Sequence, residues 1–230
     1  MSMCGRIYTA DSAAIERYWQ LGHDTSNPFA ARYNVAPQQG APENFIPVIR
    51  LNREGNPTLS QLQWWLLPWW SKEPRISYST FNARVETLRT AASFRDPLQR
   101  RRCLIPVMGW YEWQELGNGK QPWLFQAADG GLLHFAGLWD RWSREGQTIE
   151  SCTIIVGEPS KAIECIHDRQ PFVIPADGQR AWLDRQISDP DKVLELLKPV
   201  PSEALRFYPV STRVNSAKNQ GPELVEPISS

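Results

Sequence analysis

What the chain lacks most plainly is net charge. Its 25 lysines and arginines are balanced by 25 aspartates and glutamates over 230 residues, so the molecule as a whole offers no field that gathers nucleic acid or a membrane surface. Histidine is scarce: there are three, none in a His-Glu-x-x-His pair, and the four cysteines include no Cys-x-x-Cys. That spacing excludes the common zinc arrangements, and neither a metal nor another cofactor is expected. No apolar run reaches membrane length and no amino-terminal leader pattern is present, which predicts a soluble cytoplasmic protein without a membrane partner. In that compartment the cysteines stay reduced, Cys103 and Cys152 in apolar surroundings. Repeats, low-complexity tracts and convincing linkers are missing too, so residues 1–230 are expected to form one domain.

Tryptophan, by contrast, is abundant: eleven residues, several adjacent, more aromatic surface than a core of this size needs. Around them the pattern is one of strands mixed with short helices. Asp11 or Ser12 can cap a helix with Ile15, Tyr18 and Trp19 on its apolar face, and Asn27-Pro28 marks a turn. Phe45 to Leu51 and Leu59 to Leu67 read as a hairpin about Arg53-Glu54-Gly55-Asn56. Asn82 to Glu86 leads into a predicted helix reaching Phe94. Cys103 to Val107 continues through Gly109–Trp113 into a hairpin over Gly117-Asn118-Gly119, and a second hairpin joins Leu124–Ala127 to Leu132–Phe135. Thr148 to Val156 is a further strand, Pro159 to Ile166 one or two helical turns, Gln179–Leu183 and Lys192–Leu197 short helices, and Phe207–Val210 a last strand. Without a βαβ alternation this predicts an α+β fold, with a curled, barrel-like, mainly antiparallel or mixed sheet and short peripheral helices.

Three features bear on chemistry. Cys4 stands close to the amino terminus. If it becomes the first residue, it carries a thiol and an α-amine that titrates near ~8, low enough to be partly neutral in the cell. Such an amine forms a Schiff base with an aldehyde, and the thiol of the same residue can close a thiazolidine ring. The plainer reading is an ordinary small residue near a chain end. Local charge is the second feature. Between Trp64 and Arg102 there are eight basic residues against three acidic ones, beside Trp69 and Trp70. Arginine with flat aromatics suits single-stranded nucleic acid, in which phosphates meet charge and bases stack on rings; a solvated face over core tryptophans is the alternative. Third, Glu112 sits in Trp-Tyr-Glu-Trp, on the opposite face from Tyr111 and Trp113. Lost hydration there should raise its pKa and suit it to general acid work. His167 closes an apolar stretch with Asp168 and Arg169 beside it, and Asn82 and Arg84 share one side of an extended segment. Each of these also has an ordinary structural reading.

Cys4-Gly5-Arg6, Arg32-Tyr33-Asn34-Val35-Ala36-Pro37, Asn82-Ala83-Arg84-Val85-Glu86 and Arg102-Cys103-Leu104-Ile105-Pro106 come in an order, and at spacings, that resemble the SRAP family (SOS-response-associated peptidases). Gly109-Trp110-Tyr111-Glu112-Trp113, His167-Asp168-Arg169 and the closing Pro209-Val210-Ser211 with Val214-Asn215 extend the likeness over nearly the whole chain. The resemblance implies a shield for abasic sites in single-stranded DNA, fork or 3′-junction DNA included, in which the aminothiol captures the open-chain sugar aldehyde as a thiazolidine. A lyase or self-processing peptidase activity accompanies that implication. By motif, Cys4 is the nucleophile, Glu112 transfers protons, His167 assists at the sugar or in reversal, and Asn82 positions the amine. Arg6, Arg84 and Arg169 meet phosphates, while Asn34, Pro37, Trp69, Trp70 and Trp113 shape the strand's path. The resemblance also implies a monomer, nucleoid-associated if bacterial. The chain departs from the family's pattern in three places. Met1-Ser2-Met3 precede Cys4 where the family has a single methionine, Val156 stands where threonine is frequent, and Trp65 replaces a small residue. Two other readings stay open: a self-processing cysteine peptidase, and a non-covalent reader of single strands with Cys4 blocked.

Overall fold

The computed structural model describes residues 4–22, 28–117 and 119–228. Five strands close on themselves. β2 (Phe45–Leu51) pairs antiparallel with β3 (Pro57–Trp64), β3 runs parallel to β8 (Gln147–Gly157), and β8 pairs antiparallel with β7 (Leu133–Arg144). β7 pairs antiparallel with the fifteen-residue β5 (Arg102–Leu116), which returns to β2 through Ile49 and Leu104. Closure leaves no free edge in the ring, and it follows from long apolar alternations with β-branched residues facing inward. The fold is therefore α+β with a curled, mixed, barrel-like sheet.

The remaining strands attach to this ring: β1 (Ile7–Thr9) on β5, β6 (Gly119–Ala127) beyond β5's far half, and β10 (Leu205–Pro209) outside β6. β4 (Asn82–Arg84) lies parallel to β8, and β9 (Gln170–Pro171) antiparallel to it. Helices are short: α1 (Ser12–Trp19), α2 (Arg95–Arg100), α3 (Gln179–Leu183) and α4 (Pro190–Leu194). Asp11 caps α1 by accepting from the Ala14 N–H at 2.7 Å. Ile15 and Trp19 are buried, while Tyr18 is largely exposed and lays its ring on His134.

Several expectations need correction. The helix expected to follow Asn82–Glu86 and reach Phe94 is replaced by a 3-10 turn at Val85–Thr87 and a run of turns that reaches α2 only at Arg95, after the extended segment that forms β4. Parallel pairing with β8 outcompetes local helix propensity there. The second hairpin is not a ladder of its own, because β6 and β7 each pair with β5. Trp110↔Phe125 and Val107↔Leu133 make them successive halves of one returning arm. β3 stops at Trp64 rather than Leu67, and the last short helix sits at Pro190–Leu194, where Asp189 caps it and proline starts it. The Asn27 and Asn118 turn positions lie outside the described residues. Trp65 packs its ring 5.2 Å from Phe81, and Val156 is buried between Arg84 and Pro171.

Three apolar clusters form the core among the described residues, a small one of Tyr111, Leu124, Val210, Val214 and Leu224 and two large ones. One, which includes Cys4, Ile7, Trp64, Trp110, Phe125 and Phe135, fills the barrel side; the other gathers Ile15, Leu66, Leu138, Trp182 and their neighbours beneath the helices.

Candidate functional site

β1 sets the site. Ile7 registers with Trp110 and the Tyr111 N–H donates to the Arg6 carbonyl at 3.0 Å, so the chain before Arg6 lies against Glu112. Close packing is possible because position 109 is glycine: a Cβ there would stand 2.4 Å from the Phe125 carbonyl oxygen. Strand alternation puts Glu112 on the side of Trp110 and the barrel core, and Tyr111 and Trp113 on the other. Glu112 is 1 % exposed, and one of its oxygens, Oε1, has no hydrogen-bond partner among the described residues.

Cys4 is fully buried and its carbonyl accepts from Asn82 Nδ2 at 3.1 Å, which is how β4 fixes the chain start. The Cys4 backbone nitrogen and thiol both face the Glu112 carboxyl. Burial pushes that carboxyl well above the usual carboxylate range, and nearby Asp168 adds to the rise against the opposing pull of the two Cys4 contacts. Burial, then Glu112, raises the Cys4 thiol in the same way, so the thiol holds its proton at neutral pH and the carboxyl keeps its own to higher pH than an exposed glutamate does.

His167 comes from the turn between β8 and β9, where its N–H donates to the Ile163 carbonyl at 3.1 Å. Its Nε2 lies 3.6 Å from Glu112 Oε2. On the other side of the ring, Nδ1 accepts from the Arg169 N–H at 3.1 Å and lies 3.3 Å from Asp168 Oδ1. Cys4, Asn82, Glu112 and His167 thus converge, as the motifs imply.

Glu112 and His167 open onto a cleft of about 750 Å³, lined also by Gly5, Arg6, Trp113 and Asn215. Arg6 reaches its inner wall but is committed. It donates to Asn34 Oδ1 and the Val214 carbonyl, each at 2.7 Å, and lies over the Trp113 ring. Asn34 is buried and uses its amide on the carbonyls of Val214, Ser216 and Asn219. It therefore anchors the segment that carries Asn215, whose Oδ1 accepts from Trp113 Nε1 at 2.7 Å. Pro37 is half-buried just beyond Asn34. Arg84 is exposed at the end of β4, and Arg169 pairs with Glu86, tying the histidine turn to the segment after β4.

Trp69 and Trp70 do not join that cleft. They line a separate depression of about 510 Å³ with Arg95, Arg100 and Arg101, and are 56 % and 40 % exposed. The basic run between Trp64 and Arg102 divides there. Arg102 is buried on the carbonyls of Trp182, Leu98 and Gln99, with burial lowering its pKa to about 10, and is structural. Arg89 pairs with Asp191, and Arg101 with Asp96 and Asp140. Sequence reasoning missed Asn215 as a site residue and the cleft residues Lys120, Glu164 and Cys165, because it takes the β5–β6 hairpin, the turn between β8 and β9 and the chain's return after β10 to bring them together. Among the described residues no cluster of histidine, cysteine, aspartate and glutamate is arranged to hold a metal ion, and no helix is long and apolar enough to cross a membrane.

With this geometry in hand, the chain can be set beside known proteins. Residues 3–217 match the family described as SOS response associated peptidase (SRAP). The chain belongs to the SRAP family. The Bacillus subtilis abasic site processing protein YoqW is 38 % identical over 97 % of this chain and 99 % of its own length. YedK of Escherichia coli, also named an abasic site processing protein, is 31 % identical over 98 % of this chain and 100 % of its own length. The Xenopus tropicalis protein HMCES, of the same description, is 30 % identical over 92 % of this chain and 71 % of its own length. A crystal structure of a Bacteroides thetaiotaomicron protein shares the fold, with a TM-score of 0.81 at 22 % identity, covering 98 % of this chain and 100 % of that one.

Proposed function

We propose that the protein processes abasic sites in single-stranded DNA by covalent capture through Cys4, once the residues before it are removed. Met1, Ser2 and Met3 lie outside the described residues. The observation that carries the reading is the placement of a buried Glu112, its pKa raised by that burial, against both the nitrogen and the sulfur of Cys4, with His167 behind it. An abasic sugar equilibrates with an open-chain aldehyde. The freed α-amine, titrating near ~8, is the first nucleophile, because the thiol is protonated here. Protonated Glu112 assists ring opening and then loss of water from the carbinolamine to give the imine. The resulting carboxylate takes the thiol proton as sulfur attacks the imine carbon, and the thiazolidine closes. The oligonucleotide is joined with net loss of one water.

Asn82 holds Cys4 through its carbonyl. Arg84 at the rim meets backbone phosphate, with Trp113 and Pro37 along the path, Arg169 positioning through Glu86, and Trp69 and Trp70 stacking bases farther along the strand. Arg6 and Asn34 act mainly by holding the cleft wall. No cofactor enters the scheme, and one copy of the chain supplies every group in it, as a single domain and a monomer. Strand incision through the imine before ring closure is the corresponding lyase step. A self-processing step fits as a prelude: the Cys4 nitrogen that faces Glu112 is the amide of the Met3–Cys4 bond, so the same carboxyl can serve its cleavage. The test is a denaturing gel of protein mixed with an abasic oligonucleotide. A heat-stable adduct with wild type and none with Cys4→Ala is expected; an adduct that survives Cys4→Ala overturns the aminothiol mechanism.

A further inference from the structure

His167 has the geometry of a two-sided proton carrier. Its Nε2 faces Glu112 Oε2 at 3.6 Å. Its Nδ1 has one donor within reach, the Arg169 N–H at 3.1 Å, and two acceptors, the Arg169 carbonyl at 3.2 Å and Asp168 Oδ1 at 3.3 Å. A ring nitrogen with only a donor opposite is held as a lone pair, and one with only an acceptor is held as N–H. Here both states of Nδ1 have a partner, so the geometry admits the proton on either ring nitrogen. Exposure is graded along the row: the Asp168 side chain is 75 % exposed, His167 8 % and Glu112 1 %.

We propose that Asp168 is a positioning residue that acts through His167, making the Asp168–His167 pair a proton relay between solvent and the buried Glu112 carboxyl. The proposal rests on the covalent-capture reading, in which Glu112 gives up a proton in ring opening and needs one again for loss of water from the carbinolamine, before the thiol supplies its own at ring closure. The transfer balances without a co-reactant. A proton reaches Nδ1 from water by way of the Asp168 carboxylate, the Nε2 proton passes to the Glu112 carboxylate, and the ring is left neutral with its proton on Nδ1. Reversal of the adduct runs the relay the other way. The ring returns to its Nε2–H form when Nε2 takes a proton from cleft water and Nδ1 releases one to Asp168, after which the Arg169 N–H again satisfies the Nδ1 lone pair. The other charged side chains on the cleft, Arg6, Glu115, Lys120 and Glu164, belong to its walls, and Lys120 and Glu115 pair with each other at 2.9 Å. Asp168 also contributes to the raised pKa of Glu112, in keeping with a carboxylate held close to the pair. The second buried histidine, His134, has no such arrangement: its Nε2 accepts from Trp19 Nε1 at 3.1 Å, and burial lowers its pKa to about 4.

The test uses the full chain and two readouts. Ring-nitrogen NMR of the free protein should show His167 exchanging between Nδ1–H and Nε2–H forms in wild type, and Asp168→Asn should shift it toward Nε2–H. Adduct formation with an abasic oligonucleotide should slow about tenfold in Asp168→Asn, with unchanged DNA affinity, and recover on addition of small buffers such as imidazole or formate. Asp168→Glu should retain most of the rate. A single His167 tautomer that Asp168→Asn does not alter overturns the relay. So does an unchanged adduct rate, or a slowed rate that no buffer restores. Absence of any adduct from wild type would count against covalent capture instead, and the tautomer readout would still decide the relay.

Discussion

Among the described residues two carboxyls are buried, at different stations along the sheet, and they are treated in opposite ways. Asp140 on β7 is 2 % exposed, yet it accepts from the Trp69 N–H at 3.0 Å and the Arg141 N–H at 2.7 Å and lies 3.2 Å from Arg101 Nε. Glu112 on β5 is equally buried but faces His167 and the nitrogen and thiol of Cys4, and one of its oxygens has no hydrogen-bond partner among the described residues. Burial raises both above the usual range, but only Asp140 has a cation and two backbone donors to offset it. A buried acid that is fully satisfied is holding the fold, here the base of the Trp69–Trp70 loop. One left short of partners and opening onto a cleft is a candidate for chemistry, and the fold carries its cost.

The comparison can be broken most directly at Glu112. Glu112→Gln should slow adduct formation by roughly 10²- to 10⁴-fold, the range of a lost general acid, read from the time course of the cross-link. The same substitution should stabilise the fold. Glu112 has a folded-state pKa above its unfolded value, so the native chain binds the proton more tightly, and stability present at low pH is lost as pH rises from ~4.3 toward the raised value. The melting-temperature advantage of Glu112→Gln over wild type should therefore grow with pH across that window. A constant or shrinking advantage would contradict the raised carboxyl.

Asp140→Ala should do the reverse. It should cost about 2–4 kcal/mol of stability by leaving two buried backbone donors unpaired and taking from Arg101 one of its two carboxylates, while leaving the adduct rate nearly unchanged where the variant is folded. Denaturant unfolding measures the first and the cross-link time course the second. A large catalytic loss with no destabilisation would erase the contrast.

The aromatic surface near Asp140 gives a smaller effect. Trp69→Ala should weaken single-stranded DNA binding by about 1–3 kcal/mol, the worth of one stacked base, as measured by fluorescence anisotropy without covalent capture. Smallest is Arg84→Ala, which should lower affinity across sequences and flatten the salt dependence by about 0.7 in the log–log slope, one phosphate's share on a single strand. An unaltered slope would place Arg84 off the strand's path.

The sequence makes parts of this contrast legible. Tyr111 and Trp113 alternate with Glu112, so its burial and its raised pKa can be read from five residues, and the fold class follows from strands without a βαβ rhythm. Asp140 cannot be read in that way, since its partners come from 69, 101 and 141 and meet only when β7 passes the end of β3. The extended segment at Asn82–Arg84 is legible as well, but its pairing partner β8, some seventy residues on, is not, and the same non-local closure made Arg102 look like a ligand for phosphate when it is a buried clamp on carbonyls. Motif order brought out the converging set of Cys4, Asn82, Glu112 and His167. Which residues hold the wall, as Arg6, Asn34 and Asn215 do, depends on the chain's return after β10.

The measurement that bears most directly on covalent capture is the intact mass of the protein, expressed from its native start, before and after incubation with an abasic single-stranded oligonucleotide. The account predicts a mass that begins at Cys4 and shifts by the oligonucleotide minus one water. A mass that retains Ser2 or Met3 and does not shift would contradict it, leaving the chain a binder that does not use its aminothiol.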